Sequence, residues 1–125
     1  MKLEFLPSGS PDCPLLRLFA FDHFQATQFR GLCRELATGK REAFGMPDDF
    51  PVDSMAGCRL KMKCAGAPGG IRQICLSAFE CVLNQTDWDN IAGLVDPFCK
   101  SGAEGYQWLW ETGQISLLLS LDGTW

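Results

Sequence analysis

The sequence predicts an α+β domain, a two-layer sandwich of one mostly antiparallel sheet, about five to seven strands wide, with two helices on one face. Three observations carry this. Ala78–Lys100 reads as strand, cap, helix and stop. The same order of strand, cap and helix occurs earlier, across Pro14–Thr38. The remaining ordered segments are short runs of period-2 alternation, the spacing of half-buried strands. A ferredoxin-like βαββαβ core with added strands fits the same element order. At 125 residues and 46% hydrophobic content, the chain is long and apolar enough for a single globular domain over 1–125.

Lys2–Phe5 alternates, with Leu3 and Phe5 on one face, and reads as a short strand. The Pro7–Pro11 cluster is a turn. Pro14–Phe21 is apolar on both faces apart from Arg17, as expected of a strand central in its sheet. Asp22 then caps a helix over about 22–38, with Gln25 at the third position and Gly39 as its stop. Ala26, Phe29, Leu32, Cys33 and Leu36 form its apolar stripe.

Residues 40–57 show no period and read as a long loop anchored by Phe44, Met46, Phe50 and Met55. Cys58–Cys64 alternates cleanly, placing Leu60 and Met62 inward and Arg59, Lys61 and Lys63 outward. Ile71–Leu83 reads as one strand whose apolar register slips, so a bulge or bend is expected near Ser77-Ala78. Thr86 is the expected cap of a second helix over about 87–99, with Asp89 three residues on and Pro97 interrupting its end. Tyr106–Glu111 and Ile115–Leu121 form a hairpin across Thr112-Gly113. A faint repeat at an offset of 62 aligns Asp22 with Asn84, Phe29 with Ile91 and Gly31 with Gly93, as a duplicated unit of about 60 residues would, or as two helices meeting the same packing problem would.

Net charge is −4, which disfavours phosphate backbones and so nucleic acid as a partner. The longest apolar run, Leu117–Leu119, is too short to span a membrane, and Met1–Pro7 lacks the apolar core of a secretory signal. Seven cysteines without a CxxC pair suit reduced, mostly buried thiols and a cytoplasmic location.

No metal centre, cofactor or catalytic set is expected. Cys58/Cys64 and Cys75/Cys81 are each six residues apart, about 20 Å along a strand, too far for one pair to chelate. His23 is the only histidine, at a helix start beside Asp22, and no nucleophile motif surrounds it or Cys13. The glycines match no phosphate-binding fingerprint.

Two surfaces stand out. Arg59, Lys61 and Lys63 make a basic stripe suited to an anion. Tyr106, Trp108 and Trp110 share one parity and form an aromatic row suited to a partner interface. Asp48, Asp49 and Phe50 of the 40–57 loop are further candidate contacts. The expected function is therefore a small non-enzymatic interaction module, of the kind an immunity protein or accessory subunit represents. It would bind a protein partner through a sheet face or the 40–57 loop, and self-association as a homodimer would use the same faces. The alternative is a small-ligand-binding or enzymatic domain with its pocket under the 40–57 loop.

Overall fold

Asp22 and Asn84 start the two helices in the same way. Asp22 Oδ1 accepts the Gln25 amide at 2.8 Å, while Gln25 Oε1 accepts the Asp22 amide at 3.1 Å. Asn84 Oδ1 accepts the Asp87 amide at 2.8 Å, and Asp87 reaches back to the Asn84 amide. Each reciprocal pair satisfies donors that the first helical turn leaves free. Helix α1 spans His23–Thr38 and ends on Gly39 at φ 78°, a left-handed position that glycine takes without a Cβ clash. Helix α2 spans Gln85–Val95 and passes into a 3-10 turn over Asp96–Cys99, where Pro97 removes an amide donor. The second cap is thus Asn84, two residues before the expected Thr86. Asn is the stronger cap, and Asp87 completes the box from the third position.

The computed structural model describes all of residues 1–125. Its strands are β1 (Lys2–Leu6), β2 (Leu15–Phe19), β3 (Ala43–Met46), β4 (Asp53–Ser54), β5 (Arg59–Cys64), β6 (Gly70–Cys75), β7 (Ala78–Leu83), β8 (Tyr106–Trp110) and β9 (Ser116–Ser120). They form two mixed sheets, one ordered β4-β1-β2-β9-β8 and the other β3-β5-β7-β6. The fold is α+β with two helices, but the single mostly antiparallel sheet and the ferredoxin-like alternative are both replaced by this pair of sheets.

The reason lies in how the halves exchange strands. β1-β2-α1-β3-β5 and β6-β7-α2-β8-β9 have the same order of hairpin, helix, hairpin. Each half gives its first hairpin to one sheet and its second to the other. The junctions are parallel, β2 with β9 and β5 with β7. Alternation shows that a strand exists and which face is apolar, but not its partner. The repeat at an offset of 62 matches this architecture, since it pairs the two helix caps.

Two local expectations change as well. The slip near Ser77-Ala78 is a hairpin turn between antiparallel β6 and β7, with Gly70 opposite Val82. The 40–57 segment holds β3, β4 and a 3-10 turn over Met55–Gly57. Phe44 and Met46 do alternate, but four residues ending at Pro47 are too few to register as a strand from periodicity.

The two helices pack on each other and on the inner faces of both sheets. Ala26, Phe29, Cys33 and Leu36 of α1 and Trp88, Ile91, Ala92 and Val95 of α2 are buried. Trp88 Nε1 donates to the Lys63 carbonyl at 2.9 Å and ties α2 to β5. Arg30 pairs with Asp96 between the helices. One cluster of 28 buried residues runs through both sheets and both helices. Burying a Leu or Phe side chain is worth about 1.5–3 kcal/mol, so this cluster dominates the favourable side of folding. No helix is long and apolar enough to cross a membrane.

Candidate functional site

Away from the helices the two sheets stay apart and leave a cleft of about 720 Å³. Its floor is aromatic. Phe5 of β1 meets Phe79 of β7 with ring centroids 4.4 Å apart. The five-stranded sheet adds Pro7, Pro14 and Ile115, at strand ends. The four-stranded sheet adds Arg72 and Gln73 of β6 and the Leu76-Ser77 turn. Met55, Ala56 and Cys58 form a rim at the end of the 40–57 segment.

Two features distinguish the rim. Leu76 is 91% exposed. Leu76 gains nothing from the core where it stands, and it overhangs an apolar cleft. Ala56 adopts φ 54°, ψ 32°, a left-handed conformation that costs a non-glycine residue on the order of 1 kcal/mol. The Cys58 amide, donating to the Met55 carbonyl at 3.1 Å, holds that turn.

The two charged residues that border the cleft, Glu4 and Arg72, already have partners. Arg17 Nε and Nη2 both donate to Glu4 Oε1, at 2.9 and 2.6 Å. Arg72 donates to Glu80 Oε1 at 3.0 Å, and Lys63 approaches Glu80 Oε2 at 3.3 Å. Burial, and then the Glu4 charge, push the Cys58 thiol up to about 11, so it stands protonated and a poor nucleophile at neutral pH. The cleft therefore offers apolar surface and hydrogen-bonding amides at Gln73 and Gln114.

The sequence-derived candidates are dispersed. Tyr106 and Trp108 lie on the outer face of the five-stranded sheet, where the register sets Glu4, Arg17, Leu118 and Trp108 side by side. A register shift between Trp108 and Trp110 then puts Trp110 opposite Leu117, on the inner face. The bulged residue, Leu109, breaks the parity that made the three aromatics one row. Trp110 is half-buried and packs against the core. Phe50 is only 2% exposed, with its ring 6.0 Å from Phe29, so it anchors the segment in the core and is not a surface contact.

Asp48 pairs with Arg59, and Asp49 Oδ2 accepts the Gly45 amide at 2.7 Å. Both line a smaller hollow of about 330 Å³ on the outside of the four-stranded sheet, with Lys61. The basic stripe is thus largely matched by acids. Arg59 has Asp48 and Lys63 has Glu80, while Lys61 has no ion pair. His23 stacks on Phe24, with centroids 4.1 Å apart. No three His, Cys, Asp or Glu side chains gather as a metal site.

Sequence reasoning missed the cleft because its walls come from segments far apart in the chain. One signal pointed to it. Leu76 falls out of the register of the strand that follows, as does Ile74, which borders the outer hollow instead; this is how apolar residues outside the core look in a sequence. Comparison with protein-family models, curated proteins and solved structures finds no match.

Proposed function

We propose that the chain is a small non-enzymatic binding module that holds an extended apolar segment of a protein partner in the inter-sheet cleft. The observation that carries this is the cleft rim, where Leu76 and Met55 are exposed beside the Phe5–Phe79 floor. An apolar groove bordered by the end of a sheet suits an extended peptide, whose alternate side chains point to opposite sides. The charges at its edge are internally paired, so affinity would come from apolar burial. A net charge of −4 favours a protein partner with basic flanks over any nucleic acid. A cytoplasmic setting, with the seven thiols reduced, belongs to the same proposal.

The test is selection of random peptides displayed on phage against the purified protein. We expect enrichment of sequences with apolar residues at alternate positions. Binding of the selected peptides should fall at least tenfold on Leu76→Asp, a fully solvated position whose change leaves the core intact. Failure to enrich such peptides, or equal binding to wild type and variant, overturns the proposal.

The cleft volume favours one second reading. About 720 Å³ lies within the roughly 300–1,000 Å³ typical of small-molecule sites. An amphipathic small molecule could then fill the cleft in place of a peptide. Mass spectrometry under native and denaturing conditions separates the two, because a tightly held molecule adds mass only in the native run. A doubled native mass would instead point to a homodimer.

A further inference from the structure

On the outer face of the five-stranded sheet, Trp108 stands between two hollows. One, of about 720 Å³, is bordered by Tyr106, Trp108, Trp125 and Asp12. The other, of about 290 Å³, is bordered by Trp108, Asp12 and Glu111. Tyr106 is 48% exposed and Trp125 37%, both large for aromatic side chains. Neither belongs to the core, and no helix covers this face.

The aromatic groups are held in place. Trp125 Nε1 donates to Asp12 Oδ2 at 2.9 Å, which fixes that indole over the β1–β2 connection. The turn leading to it is closed by Ser120 Oγ donating to the Thr124 carbonyl at 2.6 Å and by Thr124 donating to Asp122. Arg17 Nη1 donates to the Gly123 carbonyl at 2.6 Å and clamps the same turn from the sheet.

The one cation set beside Trp108 on this face, Arg17, is paired with Glu4. Asp12 and Glu111 form no ion pair, and no Lys or Arg borders either hollow. Glu4 and Asp48, which border other hollows, each pair with an arginine. The π-faces of Trp and Tyr are electron-rich and attract a positive charge, most strongly when the cation is bulky and poorly hydrated. Unpaired carboxylates beside such rings add long-range attraction for the same charge.

We propose that Tyr106, Trp108 and Trp125, with Asp12 and Glu111, form a binding site for an organic cation of the methylated ammonium class. A trimethylammonium group has the size and diffuse charge that indole and phenol faces favour over a hydrated ammonium. The hollow beside Glu111 adjoins the cleft through Pro14 and Gln114, whereas the hollow between Tyr106 and Trp125 shares no residue with it.

The experiment follows the four indole Nε1–H signals of the full chain in a nitrogen–proton correlation spectrum, assigned through single Trp→Phe variants. Choline is titrated at constant ionic strength, against its uncharged isostere 3,3-dimethylbutan-1-ol. We expect the Trp108 and Trp125 signals to move and saturate with choline. The Trp88 signal, fixed to the Lys63 carbonyl inside the core, should stay still and report an intact fold. The isostere should bind at least tenfold more weakly. The surface pair Asp12→Asn with Glu111→Gln should weaken choline at least fivefold, and Trp108→Leu should abolish the Trp125 response. Absence of saturable movement overturns the proposal. So does equal binding of the isostere, which would mean apolar contact alone. Movement of the same signals by glucose but not by choline overturns it in favour of a sugar site.

Discussion

The ring of Phe5 rests on the ring of Phe79, 4.4 Å between centroids, and this is where the two sheets touch at the floor of the cleft. Phe5 belongs to the first hairpin of one half of the chain and Phe79 to the first hairpin of the other. The contact therefore fixes the spacing of the two sheets and the depth of the cleft together.

Phe79→Ala removes the buried partner of that pair. Large-to-small changes of this kind cost about 3–5 kcal/mol, part of it from the space left behind. We expect a lower midpoint of chemical denaturation with an unchanged slope. Phe79→Leu, which keeps most of the volume, should recover more than half of the loss.

The thiols should separate into classes. Burial, with the neighbouring Cys81 adding to it, raises Cys33 far above the ordinary thiol range. Burial and then Asp87 do the same for Cys81. Cys58 is raised by burial and Glu4, to about 11. Cys75 is the exposed cysteine. Titration of the native protein with a disulfide reagent at neutral pH should label Cys75 first and the half-buried Cys13, Cys64 and Cys99 more slowly. Cys33, Cys58 and Cys81 should react only on unfolding. Early labelling of Cys58 would mean that the cleft opens more widely than its rim allows.

Glu80 gives a pH dependence with a defined sign. Its partial burial alone would raise the carboxyl, but the hydrogen bonds from Arg72 and Lys63, and their charges, outweigh that and hold it below the usual range. A carboxylate depressed in the folded state adds stability above its unfolded value. That stability is lost as pH falls through the folded value. The stability difference between wild type and Glu80→Gln should thus be present at neutral pH and shrink as pH drops below about 4.5. Denaturation curves across an acid series check this. A difference that grows on acidification would contradict the pairing.

Much of the local structure was legible because it is local. Asp22 with Gln25, the stop at Gly39, the buried run of β2 and the alternation of Arg59–Cys64 depend on residues within a turn or a strand of one another. The sheet partners were not legible. Leu16 lies beside Leu117 and Met62 beside Cys81, and nothing in either segment names the other. The candidate site was least legible of all. The outer aromatics were visible as a parity, yet Leu109 bulges out of register and turns Trp110 inward. Phe50 looked like a loop contact because hydrophobicity alone cannot separate an anchor from an exposed side chain. The cleft exists only because two exchanged hairpins fail to close on each other at one end.

The most direct measurement is to map where a selected peptide sits, by following the backbone amide signals of the labelled protein during titration. With the cleft as receptor, the largest shifts fall on Gln73, Leu76 and Ser77 and on Met55 and Ala56 across from them, and they vanish in Leu76→Asp. Shifts confined to Lys61 and Lys63 on the outer face, or to Tyr106 and Trp108, would contradict the assignment of the cleft as the binding site.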